Sequence, residues 1–140
     1  MRPRLENRSA SCVAVTLLAL PGDCWRCGRP VLPLAGVLVP SRRGTRFIEF
    51  SSVGPRLAAT VSAEQLASLG VGRIKMRRSR VRPEGYLANG CVHCDAILGD
   101  FPLREDLVAF QSEGGDLSEL ALTTLLLPRR PSGLELHRAT

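Results

Sequence analysis

At 140 residues, with 44% hydrophobic and 23% charged side chains, the chain can bury one modest core and is too apolar to be disordered. Aromatic residues make up only 4%, which argues against an extended stacking platform for nucleic acid. The net charge of +6 invites a phosphate partner, but every basic residue except Lys75 is arginine, a skew that codon bias in a GC-rich genome also produces.

In chain order, residues 1–10 are polar and Arg-containing and read as a flexible N-terminus. Residues 12–20 form an apolar run broken only by Thr16. Arg2, Arg4 and Arg8 in front of it give the outline of a signal peptide, but Glu6 interrupts the basic region and no small-x-small cleavage site follows. The run is too short to span a bilayer, so no membrane association is expected. It reads as a buried strand with Cys12 as a small core residue.

Residues 31–39 are apolar and interrupted by Pro33, which predicts an edge strand or two short pieces. A polar basic turn over 41–45 leads to a strand over 46–53, with Phe47, Ile48 and Phe50 as its apolar bulk. Ser62-Ala63-Glu64-Gln65 is a capping-box pattern, and Gly70 stops the short helix it opens. Ala63, Leu66 and Leu69 are expected on that helix's inner face.

Six of the ten residues from 73 to 82 are basic: Arg73, Lys75, Arg77, Arg78, Arg80 and Arg82. Alternation puts Ile74 and Met76 on one side of a strand and Arg73, Lys75 and Arg77 on the other. Two readings stand side by side: a solvated edge strand that uses charge against aggregation, and an anion- or nucleic-acid-binding surface. Beyond it, Asp100 is positioned to cap a second helix over 102–111, with Leu103, Leu107 and Phe110 facing the core and Gly114 past its end. In 117–127, Asp116-x-x-Glu119 argues for a helix start and Thr123-Thr124 for a closing strand, with the strand favoured. Residues 128–140 read as a flexible tail.

Four of the five cysteines occupy two Cys-x-x-Cys units, Cys24-Trp25-Arg26-Cys27 and Cys91-Val92-His93-Cys94. This is ligand spacing for a tetrahedral thiolate site, and zinc is the metal it suits. Gly28 and Asp95, which follow the two units, both tolerate positive φ. Asn89-Gly90 is a turn signal, which makes the second unit the tip of a hairpin or tight loop. The gap between the units is long, yet tripling a loop costs only about 1 kcal/mol more in closure entropy. Structural zinc contributes about 10–16 kcal/mol in small peptides.

Competing readings are two disulfides, a redox centre, or four ordinary buried thiols. The chain is not disulfide-dense, and neither unit has Trp-Cys-x-x-Cys order in a βαβ setting. Reduced thiolates suit a cytoplasmic location. His93 and His137 are the only histidines. His93 reads as a surface residue of its turn, and no paired-carboxylate or Ser-His-Asp arrangement stands out. No catalytic residue is assigned, and a small-molecule substrate is not indicated.

The motifs CWRCG at 24–28, RRSR at 77–80, GYLANGCVHCDA at 85–96 and GDFPL at 99–103 resemble a family of uncharacterised bacterial split zinc-ribbon proteins. The likeness covers roughly residues 12–127. It implies Cys24, Cys27, Cys91 and Cys94 as ligands of one structural Zn2+ and places the Arg-rich stretch in the same unit as the second cysteine pair. It implies no activity.

The expected fold is therefore α+β: a small, mainly antiparallel β domain over residues 11–127, with two short helices and a split zinc ribbon. The expected function is a structural zinc module acting as a non-catalytic binding protein for nucleic acid or a protein partner. The alternative is a thiol redox sensor that releases zinc on oxidation. Arg26 and Arg29 extend the candidate basic surface, and Trp25 and Tyr86 either stack on bases or pack around the site.

Overall fold

The computed structural model describes residues 12–129. Residues 1–10 and 130–140, where flexible termini are expected, lie outside the described residues. The strands are β1 (Cys12–Ala19), β2 (Gly22–Asp23), β3 (Pro30–Val31), β4 (Leu34–Ser41) and β5 (Gly44–Glu49), followed by helices α1 (Phe50–Thr60) and α2 (Ala63–Ser68). Then come β6 (Lys75–Arg77), β7 (Tyr86–Gly90), β8 (Ile97–Leu98), α3 (Asp100–Ser112), a 3-10 turn at Leu117–Leu120, and β9 (Ala121–Pro128). All strand pairs among these residues are antiparallel, so the fold is α+β.

β1 lies inside a four-stranded sheet of order β5-β4-β1-β9, with Leu17 opposite Val37 and Val15 opposite Leu125. Val15, Leu17 and Ala19 face one side, where Phe50, Val53 and Leu57 of α1 and Leu66 of α2 cover them. Leu18 and Leu20 face the other side and meet Leu103 of α3, with Leu107 and Phe110 beside it. A strand covered on both faces has no polar side, which is why the 12–20 run is continuous rather than alternating. Cys12 is half-buried at the first position of the strand.

Several local expectations are met by local chemistry. The Ser62 capping box is complete: Ser62 Oγ accepts from Gln65 N–H at 3.1 Å, and Gln65 Oε1 accepts from Ser62 N–H at 2.9 Å. Gly70 ends this segment at φ +85°, although Ala63 is exposed and only Leu66 of the expected inner face is fully buried. Asp116 and Glu119 also form a capping box, but for a single 3-10 turn that delivers the chain into β9.

Other expectations change. The segment 31–39 is two pieces, and β4 is an interior strand rather than an edge. Pro33 falls between the pieces, where its carbonyl accepts from Leu20 N–H at 3.1 Å. The strand over 46–53 stops at Glu49, and a third helix, α1, begins at Phe50. Pro55 lies inside this helix and removes one interior helix bond. Tertiary packing outweighs that loss: Phe50, Val53 and Leu57, at i, i+3 and i+7, are all buried, and Leu57 has no exposed surface. Gly54 lets the helix lie against β7, for a Cβ there would stand 2.9 Å from Leu87 Cδ2.

The remaining strands form the β2-β3 pair and the β6-β7-β8 sheet, which carry the cysteines. Asn89-Gly90 is not a turn. Both residues are in β7, opposite Leu98 and Ile97 of β8, and the hairpin tip lies beyond them. Among the described residues, no helix is long and apolar enough to cross a membrane.

Candidate metal centre

Each Cys-x-x-Cys unit closes a short antiparallel hairpin, the first on β2-β3 and the second on β7-β8. The two tips repeat one set of bonds. Cys24 O accepts from Gly28 N–H at 2.9 Å, and Cys91 O accepts from Asp95 N–H at 2.8 Å. Cys24 N–H donates to Arg29 O and Cys91 N–H to Ala96 O, each at 2.9 Å. The sulfur of Cys24 accepts from Arg26 and Cys27 N–H at 3.3 and 3.5 Å, and that of Cys91 accepts from His93 and Cys94 N–H at the same two distances. Gly28 at φ +75° and Asp95 at φ +61° turn the chain out of each tip, as their residue types predict.

The tips face one another. Cys24 Sγ lies 3.7 Å from Cys94 Sγ, Cys27 Sγ lies 3.7 Å from Cys91 Sγ, and all four sulfurs fall within 4.8 Å of one another. A disulfide requires about 2.05 Å, so neither pair is one. Four sulfurs on a tetrahedron with metal–sulfur bonds of about 2.3 Å stand about 3.8 Å apart. The cluster therefore fits a metal ion at its centre. Cys12 is not part of it.

Burial around the sulfurs is uneven. Cys24 and Cys91 are buried with Val31, Ala96 and Leu98, Cys94 is half-buried, and Cys27 is exposed. The Cys27 N–H aimed at Cys24 favours its thiolate and, against the opposing effect of burial, lowers its pKa to about 6. At Cys94 the Ala96 N–H favours the thiolate, but burial and the three neighbouring sulfurs outweigh it and push the thiol up to about 11. Without a cation, the four thiols cannot all ionise together.

Cross-links tie one tip to the other. Trp25 Nε1 donates to Ile97 O at 2.6 Å, and His93 Nε2 lies 3.0 Å from Pro30 O, which can only accept. Trp25 nevertheless leaves 69% of its surface exposed. His93 is thus a surface residue of its turn, engaged with the opposite hairpin.

The basic stretch divides in two. The expected alternation holds in that Lys75 and Arg77 share a face, but Ile74, which precedes β6, is buried while Met76 is 63% exposed, and Arg77 is only 8% exposed. Lys75 Nζ reaches Asp95 Oδ2 at 2.7 Å and Arg77 Nη2 reaches Asp95 Oδ1 at 2.9 Å. Led by the Lys75 contact, these cations hold the Asp95 carboxyl below its usual range despite opposing desolvation. Arg77 therefore faces the second tip, not solvent. Arg78, Arg80 and Arg82 are exposed beyond β6, at the end of β7 away from Cys91. The Arg82 guanidinium sits 4.1 Å from the Tyr86 ring centre and 4.0 Å from Asp100. Arg73 is exposed beside the second tip.

Asn89 carries no chemistry legible in the sequence, yet it is 1% exposed and its amide bonds both backbone groups of Leu34. It joins the cysteine-bearing half to the four-stranded sheet. Its only sequence signal, the Asn-Gly pair, points to a turn. Gly90 has a different reason to be glycine, since a Cβ there would stand 2.0 Å from Arg77 Nη2.

Fold and site together define an α+β protein whose paired hairpin tips bring four cysteines close enough together to hold a metal ion. Compared with family models, curated proteins and solved structures, the chain matches none.

Proposed function

We propose that the chain is a structural zinc-binding module of the split zinc-ribbon kind, in which Cys24, Cys27, Cys91 and Cys94 hold one Zn2+. The observation that carries this reading is the pair of 3.7 Å sulfur separations across two matching hairpin tips. Four-thiolate tetrahedral sets suit zinc, though they also take iron, and a closed four-cysteine site leaves no position for a catalytic water. When bound, the ion supplies a further cross-link between hairpins otherwise joined by a small apolar cluster and the Trp25 and His93 bonds. No helix opens at Cys94. Asp95 turns into β8 and α3 begins only at Asp100, which supports a ribbon. The motif likeness to bacterial split zinc-ribbon proteins points the same way, and a cytoplasmic setting keeps such thiolates reduced.

Elemental analysis of reduced protein, purified without added metal, tests the reading. One zinc per chain is the expected result. Folded, reduced protein with a metal content near zero would end it.

The module's role is binding, with nucleic acid as the partner and the exposed Arg78, Arg80 and Arg82 as its contacts. A protein partner becomes the better reading if neither DNA nor RNA binds in a salt-dependent way. The exposure of Cys27 favours one further reading, a thiol switch. There, peroxide oxidises two thiolates to a disulfide, is itself reduced to water, and the zinc is released. Zinc release on peroxide treatment, reversed by a dithiol, would distinguish the switch from a purely structural site.

A further inference from the structure

The two hairpin tips make the same bonds but leave by different residues. The first turns out through Gly28 at φ +75°, which costs a glycine nothing. The second turns out through Asp95 at φ +61°, a conformation that Asp tolerates better than most residues but less freely than glycine. Contacts that favour it there strengthen the tip.

Arg77 stands at that place. Among the described residues it is the one buried charged side chain, and a guanidinium leaves water only where its N–H groups find acceptors. Nη1 donates to Asp95 O at 2.9 Å and Nη2 to Asp95 Oδ1 at 2.9 Å, so the fork grips backbone and side chain of one residue. Nη2 also donates to Arg73 O at 2.8 Å, and Nε to Ala88 O at 3.4 Å. Two glycines make room. A Cβ at Gly90 would lie 2.0 Å from Arg77 Nη2, and one at Gly72 would lie 2.0 Å from Gly90 O. The guanidinium thus touches the residue before Cys91 and the residue after Cys94.

We infer that Arg77 is the positioning residue of the second tip: its fork fixes the Asp95 peptide in the left-handed conformation and so holds the Cys91 and Cys94 sulfurs in register for the metal. The inference rests on the reading of the four cysteines as a zinc site. Arg77 then belongs to the metal centre and is not available to a phosphate partner. Lysine cannot replace it, because a single ammonium nitrogen cannot grip carbonyl and carboxylate in one plane.

The test uses the full chain with R77K, R77M and the double variant R77K/D95G. Each is titrated with Zn2+ against a chromogenic chelator, and its Co2+ form is followed by the thiolate charge-transfer and ligand-field bands. R77K and R77M are expected to weaken metal binding by about 10–100-fold, the usual effect of losing a partner that orients a ligand, and to shift the cobalt bands. Asp95→Gly in the R77K background gives the second tip the freedom of the first and is expected to recover most of the affinity. If R77M does not fold, R77K decides alone. An R77K affinity within about twofold of wild type with unchanged cobalt bands overturns the inference, as does a loss that D95G fails to recover. Wild-type protein that takes up no metal defeats the zinc reading itself, which is a separate and recognisable outcome.

Discussion

The side-chain amide of Asn89 makes to Leu34 the two hydrogen bonds that a neighbouring strand would make. Leu34 N–H donates to Oδ1 at 2.9 Å, and Nδ2 donates to Leu34 O at 3.0 Å. Both residues are buried, Asn89 at 1% and Leu34 at 0% exposure. β4 therefore begins on a side chain from β7, and the cysteine-bearing hairpins are tied to the main sheet at that point.

Replacing Asn89 with Leu would strand a buried N–H and a buried C=O. Each unsatisfied group costs about 1–3 kcal/mol, so N89L is expected to destabilise the metal-loaded protein by about 2–6 kcal/mol in urea unfolding. Asn89→Asp keeps the acceptor, loses the donor and adds a buried charge, and should be no better. A loss below about 0.5 kcal/mol for N89L would show that the tie is dispensable.

Metal removal should act unevenly. The sheet β5-β4-β1-β9 has its own core on α1, while the hairpin tips share a small apolar cluster with the sulfurs and two side-chain bonds, from Trp25 and His93. Chelation under reducing conditions is expected to speed amide exchange at 24–29 and 91–96 far more than in β1 and β4. Cys91→Ser should abolish stoichiometric zinc, whereas Cys12→Ser, outside the cluster, should leave it unchanged. Equal loss of protection everywhere would mean that the ion organises the whole fold.

If nucleic acid is the partner, affinity should fall with salt at a log–log slope of about −0.7 to −0.9 per phosphate contact. The triple variant R78A/R80A/R82A should flatten that slope by about two to three units with metal content unchanged. An unaltered slope would remove this loop from the interface. Arg77 is left out of the set because its guanidinium is already committed to Asp95, Arg73 and Ala88.

Burial raises the carboxyl of Asp100 above its usual value; Arg82 and Arg104 oppose the shift and Glu49 adds to it. An acid whose pKa is raised by folding binds its proton more readily in the folded state. Wild-type stability should therefore fall as pH climbs from about 3.9 through the folded value, with no further change from this group above it. Asp100→Asn removes that dependence and is expected to be more stable than wild type at pH 7, measured by urea unfolding at pH 4 and pH 7. Lower stability of D100N at pH 7 would mean that the charge at the α3 N-terminus matters more than its burial.

Features that depend on neighbours in the chain were legible from residues alone. The Cys-x-x-Cys spacing, the positive-φ residues after each pair, the Ser62 capping box and the buried run over 12–20 all rest on bonds that close within a few residues or on composition. Features that depend on what packs from elsewhere were not. Phe50 and Val53 read as the end of a strand over 46–53 until the sheet offers a surface for Phe50, Val53 and Leu57. Asn89-Gly90 reads as a turn until Leu34 and Arg77 arrive beside it. Alternation placed Lys75 and Arg77 on one face, but a period of two cannot say which face meets water. That was decided by Asp95, eighteen residues along from Arg77, whose carboxylate and carbonyl make burial of the guanidinium affordable.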